Sequence, residues 1–127
     1  MKKVLLLGEG ITVHRIINEI KGRYKIFVCG KKNNNLKFNK NISHIKIDYK
    51  DKENILSLAK KLKIEFIIPD GNDVSYLSSS YVANKLNLIG FEKFSQSKKI
   101  HDKLLTSKKL SKYKFYPKKI KRNQIKN

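Results

Sequence analysis

The chain has 127 residues, 39% of them hydrophobic, which allows one globular core and excludes a disordered chain. Thirty basic residues against ten acidic ones give a formal charge of +20 and raise nucleic acid as a partner. No apolar run approaches the ~20 residues of a membrane span, and the lone cysteine, Cys29, excludes an internal disulfide, so the expectation is a cytoplasmic domain with no membrane partner.

Along the chain, Lys3–Leu7 is a continuous apolar run, the pattern of a buried parallel strand, and it stops at Gly8-Glu9-Gly10 with no signal-peptide cleavage pattern. Val13, Ile16, Ile17 and Ile20 then form one helical stripe, followed by Gly22 at a C-cap position. Tyr24–Cys29 reads as a second strand closed by Gly30, and residues 31–41 as a polar, Asn-rich loop. Ile42–Asp48 suggests a third strand. Asp51 opens a helix with Ile55, Leu58, Ala59 and Leu62 inward, and Phe66-Ile67-Ile68 is a short fourth strand stopped by Pro69. Asn72 or Asp73 caps a helix whose expected stripe is Val74, Leu77, Tyr81 and Val82. Leu88-Ile89-Gly90 suggests a short fifth strand. A last helix spans about 96–112, with Ile100 and Leu104 inward, and Phe115-Tyr116-Pro117 ends it. This alternation predicts a three-layer α/β domain, a parallel sheet of order near 3-2-1-4 with helices on both faces.

The charge is unevenly placed. Residues 1–92 carry 17 basic and 9 acidic groups, whereas residues 93–127 carry 13 and 1. Only Arg15, Arg23 and Arg122 offer the bidentate fork suited to bases and phosphates. The composition is also rich in Ile and Asn, which with Lys share AT-rich codons, so genome bias accounts for part of the excess. A basic nucleic-acid-associated protein is therefore an alternative rather than the leading reading.

In an open parallel sheet ligands bind beyond the carboxyl ends of the strands, where the strand order reverses. That rule selects two loops as substrate-binding candidates: Gly8, Glu9, Gly10 and Thr12 after strand 1, and Asp70, Asn72 and Asp73 after strand 4. The first loop precedes a helix N-terminus, which favours an anion, and its glycines admit a ligand close to the backbone. They equally serve a tight strand-to-helix turn. The third glycine of the dinucleotide fingerprint would fall at Val13, and strand 2 ends Val28-Cys29-Gly30 without a ribose-binding acid, which argues against a nicotinamide dehydrogenase. In the second loop Asn72 suits helix capping, and Asp70 is left for ligand contact. His14, His44 and Ser78-Ser79-Ser80 carry no metal or nucleophile pattern, and Cys29 reads as a buried small hydrophobe.

The segment 67–90, from Ile-Ile-Pro-Asp-Gly-Asn-Asp through Ala-Asn-Lys-Leu-Asn-Leu-Ile-Gly, and His101-Asp102-Lys103 beyond it carry a family likeness. Together with the opening Lys-Val-Leu-Leu-Leu-Gly-Glu-Gly, this order of motifs resembles the N-terminal domain of ATP-grasp carboxylate–amine ligases, the group of carbamoyl-phosphate synthetase, biotin carboxylase and purine-pathway ligases. The resemblance covers residues 2 to about 117. It implies a Rossmann-like pre-ATP-grasp domain over 1–92, a helix and connector over 93–117, and a basic tail over 118–127. It also implies ATP and Mg²⁺ as cofactors, an acyl-phosphate route, and a small carboxylate or amine as substrate. Lys103 would then reach the nucleotide, or be one more surface lysine. The catalytic ATP-grasp domain itself is not in the sequence, and after Glu92 the only acid is Asp102, too few carboxylates for Mg²⁺. The implied protein is a truncated ligase, or one half of a split ligase whose partner is a separate chain carrying the ATP-grasp domain, and is inactive alone. A stand-alone small-ligand or nucleotide-binding α/β protein is a further alternative.

Overall fold

The computed structural model describes residues 1–33, 35–115 and 117. Four strands, β1 (Lys2–Leu7), β2 (Tyr24–Gly30), β3 (Ile42–Lys46) and β4 (Phe66–Pro69), form one parallel sheet in the order β3-β2-β1-β4. Five helices accompany it: α1 (Ile11–Ile20), α2 (Lys52–Leu62), α3 (Asp73–Leu86), α4 (Phe94–His101) and α5 (Lys103–Leu110). The expected fold class and strand order are those observed. The basic tail expected over 118–127 lies outside the described residues.

Strand β1 is central, pairing β2 on one side and β4 on the other, with Leu5 opposite both Phe27 and Ile67. Its residues 4–7 are all apolar because both faces of the sheet are covered. Leu5 and Leu7 join Phe27, Cys29 and Ile67 on one face, beneath Ile55, Leu56 and Ala59 of α2 and Val82 and Ala83 of α3. Leu6, Ile26, Val28 and Ile42 occupy the other face, beneath Val13 and Ile17 of α1.

Helix α3 differs from the expected stripe. It buries Ser75, Ser78, Ser79, Ser80, Val82 and Ala83, while Val74 is exposed and Leu77 and Tyr81 are only half-buried. Small side chains allow the helix to lie close to its neighbours, and three of the hydroxyls are satisfied locally. Ser75 Oγ donates to the Asp70 carbonyl at 2.9 Å, Ser78 Oγ to the Tyr49 carbonyl at 2.5 Å, and Ser80 Oγ pairs with Ser97 Oγ at 2.6 Å. Ser79 Oγ is fully buried with no partner among the described residues. An unpaired buried hydroxyl is destabilising. Ser79→Ala is therefore expected to raise stability by roughly 1 kcal/mol, read from the urea midpoint at constant m-value. A drop of similar size would mean that the hydroxyl has a partner.

Two further expectations are corrected. Leu88-Ile89-Gly90 is a helix-terminating turn, not a fifth strand. Asn87 ends α3 in the left-handed region at φ 54°, the Leu88 amide returns to the Ala83 carbonyl at 2.9 Å, and Gly90 follows at φ 105°. Ile89 is consequently 80% exposed. The single last helix is two, broken at Asp102, whose extended backbone ends α4 and whose carboxylate caps α5 through the Leu105 amide at 3.0 Å. The break turns Ile100 and Leu104 outward, 60% and 70% exposed.

Candidate functional site

Each strand of the sheet ends at the same edge, so the loops after β1, β2, β3 and β4 meet there. The first loop continues the sheet pairing: the Gly8 amide donates to the Cys29 carbonyl at 3.0 Å, and the Asp70 amide to the Leu7 carbonyl at 2.7 Å. The loops after β1 and β4 are thereby held side by side. Helix α1 begins at Ile11, with Gly10 as an extended N-cap that supplies no side-chain acceptor. Asp70 provides it from the neighbouring loop. Its Oδ2 accepts from the Gly10 amide at 3.0 Å, its Oδ1 from the Gly71 amide at 2.7 Å, and the residue is only 8% exposed. A carboxylate at this position is favoured by the free N–H groups and dipole of the helix.

The glycines of the first loop make room for that carboxylate. A Cβ on Gly8 would overlap Asp70 Cβ and stand 2.7 Å from its Cγ, and a Cβ on Gly10 would stand 2.8 Å from its Oδ2. Gly30, at the end of β2, plays the same part for Glu9, since a Cβ there would stand 2.5 Å from Glu9 Cγ. The Glu9 side chain crosses from the β1 loop to the tip of β2. Its Oε1 accepts from the backbone amide of Lys31 and, at 3.3 Å, from that of Lys32.

Beside Glu9 lies an open pocket of about 210 Å³, lined by Glu9, Lys31, Asp48, Tyr49, Lys50, Asn72 and Val74. Lys31 Nζ pairs with Asp48 Oδ2 at 3.0 Å. Hydrogen bonding to Lys31, and then to the Lys50 amide, holds the Asp48 carboxyl below its ordinary range, and the bond to Asp48 raises the Lys31 ammonium. Asn72 caps α3 by accepting from the Ser75 amide at 2.9 Å, and its amide nitrogen faces Tyr49 Oη at 3.5 Å.

Of the residues the sequence singled out, Gly8, Gly10 and Asp70 thus form one interlocked crevice between β1 and β4, with Thr12 exposed in the first turn of α1. Glu9 and Asn72 face the adjoining pocket. Asp73 turns elsewhere: its Oδ1 meets His101 Nδ1 at 2.9 Å and ties α3 to α4. The same junction holds Glu92, which accepts from Tyr76 Oη at 2.8 Å and Ser97 Oγ at 2.6 Å and is held below its ordinary range mainly by the Ser97 hydroxyl. Lys103 is exposed at the start of α5, which packs on α4. Lys31, Asp48, Tyr49 and Lys50 were not among the sequence candidates. The rule that selects the loops after β1 and β4 also points to the loops after β2 and β3, and both bear chemistry. Cys29 is buried, its thiol pushed up to about 12 by desolvation, so it is a core side chain and not a nucleophile.

No protein-family profile matches the chain, and no curated protein matches it significantly. Solved structures do. The WbmH enzyme of Bordetella bronchiseptica, solved in complex with NAD⁺, superposes with a TM-score of 0.55 at 18% identity, over 69% of this chain and 36% of that one. L-threonine dehydrogenase of Clostridium difficile superposes with a TM-score of 0.55 at 14% identity, over 89% of this chain and 50% of that one. The chain is a Rossmann-like α/β domain spanning half or less of these neighbours' length.

These neighbours overturn the ATP-grasp reading, and with it the ligase function and the ATP and Mg²⁺ cofactors. The motifs that carried the resemblance have local structural causes. Asn72 caps α3, Leu88-Ile89-Gly90 ends it, and Asp102 in the Asp102-Lys103 pair caps α5. Such caps and turns recur wherever helices follow short strands, so their order describes α/β architecture rather than a ligase. Among the described residues no helix is long and apolar enough to cross a membrane.

Proposed function

We propose that the chain is a cytoplasmic nucleotide-binding domain that seats the ribose and phosphate of a nucleotide in the pocket beside Glu9. The observation carrying this reading is the Glu9 carboxylate fixed over the tip of β2. In Rossmann-like domains an acid at the end of the second strand accepts the ribose hydroxyls. Here β2 ends in Gly30, and the acid arrives from the β1 loop into the space that Gly30 leaves. Lys50, and Lys31 in its pair with Asp48, line the rim where a phosphate would sit, Tyr49 and Asn72 add neutral hydrogen-bonding groups, and Val74 offers an apolar wall. At about 210 Å³ the pocket takes part of a ligand rather than engulfing one.

Calorimetric titration with the four common ribonucleoside monophosphates tests the proposal. At least one is expected to bind saturably at physiological salt, with its 2′-deoxy analogue weaker by about tenfold or more, because a hydrogen bond to a charged acceptor contributes roughly 1.5 kcal/mol or more. Glu9→Gln is expected to weaken the ribonucleotide and narrow that difference. No binding by any of the four, or equal binding of the ribo and deoxy forms, would overturn the assignment.

A further inference from the structure

The pocket beside Glu9 accounts for one half of the strand-end crevice, but not for Asp70 in the other half. In a dinucleotide-binding site the pyrophosphate lies against the glycine-rich turn, on the amides at the N-terminus of the first helix. In this chain that seat is filled from within. The Gly10 and Gly71 amides both donate to the Asp70 carboxylate, and the space left by the missing side chains of Gly8 and Gly10 holds its Cβ, Cγ and Oδ2. Asp70 cannot swing aside cheaply. Its amide is bonded to the Leu7 carbonyl, its carbonyl accepts from Ser75 Oγ, and its side chain is buried. A pyrophosphate arriving here would lose both donors and face a carboxylate within a few ångströms. Val13, where the fingerprint wants its third glycine, closes the turn further, buried against Leu6 and Val28.

We propose that Asp70 is a built-in substitute for the pyrophosphate, which makes this domain selective for mononucleotides and excludes dinucleotides such as NAD⁺. The inference rests on the nucleotide reading above and sharpens it: the residues present do not fit the cofactor held by the structurally similar WbmH enzyme.

The test uses the full chain and two probes, AMP and NAD⁺, which share the same adenosine monophosphate half. The wild type is expected to bind AMP at least tenfold more tightly than NAD⁺. Asp70→Asn removes the charge while keeping an acceptor for the Gly10 amide, and the NAD⁺ to AMP affinity ratio is expected to rise at least tenfold. An unchanged ratio, or wild-type binding of NAD⁺ as tight as that of AMP, overturns this inference and leaves the nucleotide site standing. Binding of neither probe by either protein overturns this inference, and with silence from the other three monophosphates it removes the site as well. A measurement on the wild type alone guards against misfolding of the variant. The amide resonances of Gly10 and Gly71 should stay in place when excess NAD⁺ or inorganic pyrophosphate is added, and saturable movement of both would contradict an occupied seat.

Discussion

Replacing Gly8 by alanine is expected to destabilise the domain by about 3 kcal/mol or more, the upper end of what overpacking a filled interior costs. The new Cβ would overlap Asp70 Cβ and lie 2.7 Å from Cγ and Oδ2. A clash with a Cβ is not relieved by a change of rotamer. The main chains on both sides are also fixed, Gly8 by the Cys29 carbonyl and Asp70 by the Leu7 carbonyl. Relief therefore requires the β1 and β4 loops to separate. Removing the obstructing side chain in the double variant Gly8→Ala/Asp70→Gly should restore much of the loss, so that the two substitutions are strongly non-additive in a denaturation cycle. A Gly8→Ala change within about 0.5 kcal/mol of wild type, the scale of an ordinary surface substitution, would show that the loops are not interlocked.

The second large effect is expected at Leu5. This side chain is fully buried in the central strand, flanked by Phe27 and Ile67 in the neighbouring strands and covered by α2 and α3. Leu5→Ala removes buried apolar groups and leaves a cavity that a sheet paired on both sides cannot close. The expected loss is about 2–5 kcal/mol, a large share of the roughly 5–15 kcal/mol that holds a domain of this kind together. Urea unfolding monitored by circular dichroism measures it. A loss below about 1 kcal/mol would place Leu5 at the periphery and contradict the interior position of β1, where Leu5 is flanked by a strand along each edge and covered by α2 and α3.

The contrast between these residues and others explains how much was legible in the sequence. The apolar run of β1, the stripe of α1 and the spacing of the strands follow from burial on both faces of a parallel sheet, and that pattern is local. Strand order follows from crossover handedness, which is general. The serine face of α3 is not legible in that way. Ser75, Ser78 and Ser80 are buried because specific partners, the Asp70 and Tyr49 carbonyls and Ser97, lie opposite them, and the partners of Ser78 and Ser80 are 29 and 17 residues away in sequence. Leu88-Ile89-Gly90 has the hydropathy of a strand, yet Asn87 and Gly90 in positive-φ conformations set its path.

The crevice was legible as a place and not as an arrangement. The glycine-rich turn and the Pro69-Asp70-Gly71-Asn72 loop mark the edge of the sheet, and the missing acid at the end of β2 is plain in Val28-Cys29-Gly30. What a linear reading does not supply is that Glu9 crosses 22 residues in sequence to stand at that end, or that Asp70 crosses 60 to cap α1. Both contacts depend on glycines at 8, 10 and 30 whose empty Cβ positions are filled by those side chains. The same glycines made the turn resemble a ligand loop of another enzyme group, because a glycine-rich strand-to-helix turn is shared across parallel α/β folds.

A ¹⁵N–¹H correlation titration of the full chain with the tightest-binding ribonucleoside monophosphate, at physiological salt, tests the central claim most directly. Saturable shifts are expected at Glu9, Lys31, Lys32, Tyr49, Lys50 and Asn72, the groups at or beside the strand-end pocket. Shifts confined to the lysines of α4 and α5 and fading with added salt would mark nonspecific attraction to a basic surface, and would contradict a nucleotide site at the carboxyl edge of the sheet.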